Sequence, residues 1–344
     1  MKLLIITPTK FPAITGNAID VERIIVGLKK YVSKIKVVTP NKINFEQIKK
    51  FNPDVIHAFH AYKSNIAVKL SEKLNKPLVL ALTGTDYNHN IKDKYKKKKV
   101  MSTINKASVI TVFSNKTKKL ISTQIPKIKN KIHRVRRDKP ILESKKWKFK
   151  SKYRISKSNF VFTLIAGIRL VKNNRFPIKA LKKLHKKYPN IKFIIAGPIL
   201  DNKYFLKIKK EIKNQKWIKY IGTIPRDKIK QVYENSDVII NCSHSEGLSN
   251  VVFEAMFLGK AILVSDIPGN KFLVRNNISC LSYKHDNPTD FYKKALKLYE
   301  DKKKLKKLEV NAKKKALKMI NPKEAEEYYK IYKKVVNANV EHTK

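Results

Sequence analysis

Residues 237–256 read DVIINCSHSEGLSNVVFEAM, and this stretch decides the fold. Residues 237–242 are a short apolar run of the kind that forms a buried strand. Residues 243–249 are polar and contain Gly247, and residues 250–258 are apolar at helical spacing. In a parallel sheet built from such strand, loop and helix units, ligands bind at the carboxyl ends of the strands. Because loop amides and a helix N-terminus attract negative charge, the stretch predicts a site that suits a diphosphate.

Two glutamates flank the predicted helix start. Glu246 lies in the loop and Glu254 lies one turn or so into the helix. Each carboxylate can accept hydrogen bonds from a pair of vicinal hydroxyls, which sugars and ribose both present. Two alternatives stay open for the pair on its own. Glu246 can be merely solvated while Glu254 is favoured by the helix dipole, or the two can form a glycosidase pair, although a helix N-terminus serves an anion better than a neutral glycoside.

Short apolar runs recur along the whole chain, with amphipathic segments between them. Many of these runs are continuous rather than alternating, which is typical of parallel strands that are buried on both faces. The sequence therefore predicts an α/β protein with two doubly wound domains. The predicted strands are 3–6, 35–38, 54–58, 78–82, 109–113, 160–166, 191–196, 218–222, 237–242, 261–265 and 278–282, with a further short strand near 132–135.

The length of 344 residues also indicates two domains. Residues 127–158 form a polar stretch that lacks a strong strand signal, and the domain boundary is placed within it. The helical pattern after residue 290 is interrupted at Asn321-Pro322, and a further helix is predicted from about 323 to 336. The predicted division is 1–150, 151–320 and a C-terminal segment, 321–344.

The formal net charge of +52 is extreme, and three interpretations compete for it. The charge can serve nucleic-acid binding, attachment to an anionic membrane surface, or no function at all. The third interpretation is a compositional bias, since the chain is rich in Lys, Ile, Asn, Tyr and Phe. Because the lysines are spread over nearly every predicted helix instead of one stripe, the bias is favoured.

The composition also bears on location. No run of about 18 apolar residues is present, so no membrane-spanning helix is expected. The opening residues, MKLLIITPTKFP, lack a small-residue cleavage site and are interpreted as a first strand. Cys242 and Cys280 are the only cysteines, which favours a reducing compartment. We expect a cytoplasmic protein, with the inner face of the cytoplasmic membrane as a further place of attachment.

Residues 245–256, SEGLSNVVFEAM, resemble the E-x7-E signature of the retaining glycosyltransferases of family 4, the glycosyl transferases group 1. The likeness covers about 160–283 through FTLIAGIRLVKNN, IKFIIAGPIL, YIGTIP and KAILVSDIPGNKFLV, and it extends only loosely to the first half. The GIRLVKNN variant is most similar to the subgroup of glycosyltransferase 1 domain-containing proteins. The resemblance implies the GT-B fold, in which two Rossmann-like domains face each other across a cleft.

The resemblance implies a donor site in the second half. Arg169 and Lys172 would hold the donor diphosphate, and because this lysine follows the arginine by three residues instead of the usual five, Arg175 could share that role. Glu246 would lie beside the transferred sugar, and Glu254 would bind the ribose. The remaining donor-binding residues implied are Gly247, Leu248, Ser249, Gly167, Gly197, Gly16 and Asn17. Gly16 and Asn17 resemble the glycine loop of the family, although a plain turn is an equal alternative.

The same resemblance assigns the acceptor to the first half. Asp86 follows the strand LVLAL, where the family places catalytic or sugar-contacting groups, but it can equally cap the next helix. His57 and His60 end the predicted strand DVIHAFH, and Ser114 follows VITVF. These three residues are expected on the acceptor side, with a structural role for the histidines as the alternative.

The resemblance implies transfer of a sugar from a nucleoside diphosphate sugar to an acceptor hydroxyl, with retention of the anomeric configuration. The expected role is in the synthesis of envelope polysaccharide, lipopolysaccharide or glycolipid. The nucleotide sugar is a substrate, and neither a cofactor nor a metal is expected, because fixed cations and amides can stabilise the leaving diphosphate and the sequence lacks an Asp-x-Asp pair. The expected partners are a saccharide or lipid-linked acceptor and an anionic membrane, not nucleic acid. The alternatives are a GT-B epimerase or phosphorylase and a basic nucleic-acid-binding protein.

Overall fold

The structure is a computed structural model that describes residues 1–341. The chain forms two compact units, one from Met1–Lys139 with the chain after Ile320, and one from Pro140–Met319. The division therefore follows residue 139 instead of residue 150. The reason is that the backbone N–H of Lys145 donates to Asp227 (2.8 Å) and Ser144 bonds with Gln231 (2.9 Å), which attaches this segment to the second unit.

The first unit contains a six-stranded parallel sheet in the order β2-β1-β3-β4-β5-β6. Its strands are β1 (Lys2–Ile6), β2 (Lys34–Val38), β3 (Val55–Phe59), β4 (Leu78–Ala81), β5 (Val109–Val112) and β6 (Ile132–Arg134).

The second unit contains another six-stranded parallel sheet, in the order β12-β11-β10-β7-β8-β9. Its strands are β7 (Phe160–Ile165), β8 (Ile191–Ala196), β9 (Ile218–Tyr220), β10 (Val238–Asn241), β11 (Ala261–Ser265) and β12 (Leu281–Tyr283). Each predicted apolar run holds one strand, with small shifts at the ends, so the prediction of two doubly wound α/β domains is confirmed.

Helices connect the strands and cover the sheets. They are α1 (Gly16–Leu28), α2 (Phe45–Phe51), α3 (Ile66–Leu74), α4 (Thr85–Asn88), α5 (Lys94–Lys106), α6 (Asn115–Gln124), α7 (Phe149–Lys152), α8 (Phe176–Lys187), α9 (Asn202–Ile212), α10 (Ile229–Glu234), α11 (Asn250–Phe257), α12 (Pro268–Leu273), α13 (Pro288–Glu300), α14 (Lys302–Met319) and α15 (Glu324–Glu341). Among the described residues, no helix combines the length and the apolar character that a membrane crossing requires.

Both faces of each sheet are covered, which explains the continuous apolar runs. In β1, Leu4 and Ile6 pack into one apolar cluster, whereas Leu3 and Ile5 pack into the cluster on the opposite face. That second cluster includes Tyr328 and Tyr332 of α15. The C-terminal helix is therefore part of the core of the first unit.

A buried ionic cluster fixes the start of α15 to α1. Arg23 donates twice to Glu324, from Nε (2.8 Å) and from Nη2 (3.0 Å), and once to Asp20 (2.9 Å). Arg137 donates to the other oxygen of Asp20 (3.2 Å). All four side chains are 5% exposed or less. Although burial alone would lower the pKa of Arg23, the two carboxylates raise it, so this guanidinium stays charged.

Candidate functional site

The strand, loop and helix around the two glutamates are β10, residues 242–249 and α11. Helix α11 is capped by Ser249, whose hydroxyl accepts from the backbone N–H of Val252 (3.4 Å). Gly247 and Ser249 are buried within the loop, and Leu248 is half-buried. The amides of the loop and of the first helical turn therefore meet at the carboxyl edge of the second sheet, which is the environment that a phosphate group requires.

Glu246 is held by three donors on one carboxylate oxygen. Lys172 Nζ lies 2.7 Å from Oε1, Ser243 Oγ 2.7 Å and Asn241 Nδ2 3.1 Å. The side chain is only 10% exposed. Burial alone would raise the pKa of Glu246, but the Lys172 charge and the three hydrogen bonds outweigh it and lower the pKa. The carboxylate is therefore ionised at neutral pH and fixed in direction.

The loop that carries Glu246 is supported from behind by helix α12. A Cβ atom at Gly269 would lie 2.3 Å from the carbonyl oxygen of Glu246, so only glycine allows this approach. Asn270 donates to Asn241 Oδ1 (3.1 Å) and to the carbonyl of Ser265 (3.0 Å), and it thereby orients one of the donors to Glu246. The family resemblance includes this segment, but the sequence alone predicted neither the close approach at Gly269 nor the hydrogen bonds of Asn270.

Glu254 is more deeply buried than Glu246, with 3% of its side chain exposed. Arg226 Nη2 donates to Oε1 (2.6 Å), and the hydroxyl of Tyr233 donates to Oε2 (2.7 Å). Burial and the neighbouring carboxylate raise the pKa of Tyr233 well above its ordinary value, so the phenol remains a donor. Neither Arg226 nor Tyr233 was anticipated from the sequence.

Two basic residues lie in and beside a 3₁₀ turn, Leu170–Lys172, that follows β7. Lys172 reaches Glu246, as described above. The Nε atom of Arg169 is buried and lacks a hydrogen-bond partner within residues 1–341. Burial lowers the pKa of Arg169, which the charge of Glu246 opposes. Arg175, the alternative cation, instead pairs at the surface with Glu211.

Gly167 and Gly197 bring the loops after β7 and β8 close together. Gly197 has φ of +142°, and a Cβ there would lie 2.0 Å from the carbonyl oxygen of Ala166. At Gly167 a Cβ would lie 2.6 Å from Leu200 Cδ1. Close backbone approach and a positive φ explain Gly197 without a ligand, whereas Gly167 meets only the end of a flexible side chain. The predicted donor contacts of both glycines stay predictions.

Asp86 and His57 of the first unit have structural partners. The Asp86 carboxylate is fully buried and accepts from the backbone N–H groups of Ala61, Thr83, Gly84 and Tyr87 at 2.8–3.2 Å. His57 is 0% exposed, and its Nδ1 lies 2.7 Å from the hydroxyl of Tyr332. Burial lowers the pKa of His57 to about 3. We assign His57 to the core of the first unit instead of an acceptor site.

The other predicted residues of the first unit lie at loop and helix starts. His60 has φ of +75° and pairs through Nε2 with Thr85 Oγ1 (2.9 Å). Ser114 caps α6 by accepting from the N–H of Thr117 (3.1 Å). Gly16 and Asn17 form the first turn of α1, which Thr15 caps, so a helix start replaces the plain turn. Acceptor binding by His60 and Ser114 and donor binding by Gly16 and Asn17 stay predictions.

Comparison with known proteins supports the resemblance. Residues 145–315 match the family described as glycosyl transferases group 1. The chain is 27% identical over 236 residues to glycosyltransferase 1 domain-containing protein 1 of Xenopus tropicalis, covering 67% of this chain and 68% of the relative. It is 25% identical over 270 residues to alpha-monoglucosyldiacylglycerol synthase of Acholeplasma laidlawii, covering 70% of this chain and 63% of that enzyme.

The fold is similar to that of a solved structure. The crystal structure of Anabaena Alr3699/HepE in complex with UDP and glucose has a TM-score of 0.79 to this chain, at 17% identity, covering 96% of this chain and 99% of that one. With the two parallel-sheet units described above, this likeness confirms the predicted GT-B fold.

Proposed function

The protein is a glycosyltransferase whose residues 145–315 form a glycosyl transferases group 1 domain, and we propose that it is a retaining family 4 enzyme that uses a nucleoside diphosphate sugar. The observation that carries the proposal is the Lys172–Glu246 ion pair, 2.7 Å long, beside the buried Nε of Arg169 and the N-terminus of α11. Cations and amides converge there at a strand edge, with a fixed carboxylate among them.

The reaction breaks the bond between the anomeric carbon of the sugar and the diphosphate oxygen, and it forms a bond from that carbon to the acceptor oxygen. The leaving diphosphate gains negative charge, which Arg169, Lys172 and the amides of Gly247, Leu248 and Ser249 are suited to stabilise. Retention is drawn with attack on the same face, in which a donor phosphate oxygen takes the acceptor proton. These residues supply the charge stabilisation, so the proposed reaction requires neither a cofactor nor a metal.

The two glutamates divide the recognition of the donor. A carboxylate offers about four lone-pair positions, so Glu254 can bind both ribose hydroxyls while it keeps its bonds to Arg226 and Tyr233. Lys172, Ser243 and Asn241 fix the direction of the Glu246 carboxylate. We assign this carboxylate to the hydroxyls of the transferred sugar.

A thermal-shift screen against UDP, GDP and ADP tests the donor site. We expect UDP to stabilise the protein, because the structurally similar Anabaena protein was solved with UDP. A ligand at 100 times its dissociation constant raises the unfolding free energy by about 2.7 kcal/mol. Uridine is the matched control, since it lacks the diphosphate that Arg169 and Lys172 would bind. Failure of all three nucleotides to stabilise the chain would refute the proposed donor site.

For the acceptor, we propose a lipid-linked saccharide or a glycolipid of the cell envelope, reached from the cytoplasmic face of the membrane. One relative is named for a monoglucosyldiacylglycerol. The net charge of +52 suits an anionic lipid surface, since each basic residue near such a surface contributes about 1 kcal/mol of attraction.

Liposome co-sedimentation tests membrane attachment. We expect the protein to sediment with vesicles that contain anionic phosphatidylglycerol and to remain in solution with pure phosphatidylcholine vesicles. High salt should release it, because salt screens surface charge. Equal sedimentation with both vesicle types at low salt would show that the basic surface does not select an anionic membrane.

The three alternative functions predict different results. A GT-B epimerase would release free nucleotide without an acceptor, and a phosphorylase would need a cofactor-binding lysine. A nucleic-acid-binding protein would show a steep salt dependence of its affinity for DNA or RNA, and its binding would be unaffected by substitution of Glu246.

A further inference from the structure

A cluster of two histidines and one aspartate lies beside the donor loop, outside the groups assigned above. His244 belongs to that loop, and His285 and Asp286 lie between β12 and α13. We call these three residues the His–His–Asp cluster. Each histidine side chain is 33% exposed and that of Asp286 is 52% exposed, so an ion from solvent can reach them.

The spacing of the ligand atoms suits one transition-metal ion. His244 Nδ1 and His285 Nε2 are 2.9 Å apart, and Asp286 Oδ2 lies 3.5 Å from His244 Nδ1. One potential ligand atom from each residue lies within 4.8 Å of the other two. Two nitrogens at about 2.0–2.1 Å from a tetrahedral metal are separated by about 3.3 Å. The imidazole pair is therefore within about 0.5 Å of the distance that two adjacent ligands require.

The surroundings of the cluster also favour an ion. Asp286 Oδ2 lies 3.3 Å from His285 Nδ1 and 3.5 Å from His244 Nδ1, so the carboxylate is close to a ring nitrogen of each histidine. Asn173 donates to Asp286 Oδ1 (3.0 Å) and holds the carboxylate in place. Metal-binding carboxylates commonly have such a hydrogen-bond partner.

The cluster joins three segments of the donor site. The backbone N–H of His244 donates to the carbonyl of Val171 (2.9 Å), next to Lys172. Asn173, which contacts Asp286, follows Lys172 directly. An ion bound here would tie the turn with Lys172, the loop with Glu246 and the turn after β12 to one another.

We propose that the His–His–Asp cluster binds a divalent transition metal, with Zn²⁺ as the ion to test first. Two imidazoles and one carboxylate form a ligand set for Zn²⁺, Fe²⁺ and related ions, whereas Mg²⁺ and Ca²⁺ prefer oxygen ligands. The ion is structural: it holds the donor loop and takes no part in bond breaking, so the reaction proposed above remains independent of it.

Calorimetric titration of the untagged, chelator-treated protein with ZnCl₂ tests the site, with metal content checked by mass spectrometry. We expect one ion per chain. His244→Ala and His285→Ala should lose this binding, and Asp286→Asn should weaken it by about 10- to 100-fold. Asparagine tolerates the positive φ of +55° at this position, so that variant tests the ligand without backbone strain. The matched control is His89→Ala, which removes an exposed histidine of the first unit.

Three outcomes would overturn the proposal: wild type that binds no Zn²⁺, equal binding by wild type and His285→Ala, or equal affinity for Mg²⁺ and Zn²⁺. Zn²⁺ should also raise the melting temperature of wild type more than that of His285→Ala, because an ion that binds only the folded state stabilises it. UDP binding by the chelator-treated protein is measured separately. A chain that binds UDP and no metal would refute this site alone, and one that binds Zn²⁺ and no nucleotide would refute the donor site alone.

Discussion

Glu246→Gln is expected to lower the rate of sugar transfer by about 10²- to 10³-fold, the loss that follows removal of one preorganised electrostatic group from an active site. The substitution keeps the size of the side chain but removes its charge from the Lys172 ion pair. The transferred sugar would lose a charged acceptor for its hydroxyls, while Arg169, Lys172 and the loop amides that bind the diphosphate would remain. Release of nucleoside diphosphate, measured with a membrane-lipid extract as the source of acceptor, reports the rate.

Substitution of Glu254 should affect nucleotide binding as well as the transfer rate. Glu254→Gln should weaken UDP binding by roughly 10- to 100-fold, because hydrogen bonds to a charged group contribute about 1.5–3 kcal/mol, whereas Glu246→Gln should leave UDP affinity nearly unchanged. Glu234→Gln is the matched control, since the side chain of this exposed glutamate pairs at the surface with Lys230. If Glu246→Gln and Glu254→Gln both kept full activity, the proposed donor site would be wrong.

Glu324→Gln should destabilise the first unit by about 3–5 kcal/mol, because removing one partner of a buried ion pair leaves an uncompensated charge. Arg23 would keep Asp20 but lose both bonds to Glu324. The backbone N–H of Asp138, which also donates to Glu324 (2.9 Å), would face an altered acceptor. The effect should be concentrated in α1 and α15.

Hydrogen exchange is the suitable measurement, because a chain of two units does not unfold in one step and both tryptophans, Trp147 and Trp217, lie in the second unit. Amides of α1 and α15 should exchange faster in Glu324→Gln, while those of β7 and β8 should not change. Glu326→Gln is the control on the same helix. Its pair with Lys330 faces solvent, where an ion pair contributes little to stability. Equal effects of the two substitutions would show that the buried cluster adds no stability.

The strands of both sheets could be predicted from the sequence because burial on both faces requires continuous apolar runs. In β1 all four residues from Leu3 to Ile6 are apolar, since alternate side chains enter different cores. The end of the first unit has no comparable sequence pattern. Residues 127–158 are mostly polar and contain only one short strand. The attachment of Ser144 and Lys145 to the second unit depends on a few polar contacts with residues distant in sequence.

The candidate site shows the same contrast. Glu246 and Glu254 could be located because strand, loop and helix follow one another within twenty residues. Arg226 lies 28 positions from Glu254, and among 78 Lys and Arg residues one more arginine carries no signal. The side-chain direction of His57 was equally hidden, because every residue of β3 is buried and a histidine there has the same pattern whichever face it occupies.

The position of α15 in the core of the first unit also affects how the protein folds as it is synthesised. The second unit is continuous from Pro140 to Met319, whereas the first must wait for these 180 residues before α15 is made. At about 5–20 residues per second, that delay is roughly ten to forty seconds. During this delay, the sheet face that contains His57 and Phe59 cannot pack against Tyr328 and Tyr332. On the ribosome, this apolar face therefore stays exposed until the end of the chain has been made.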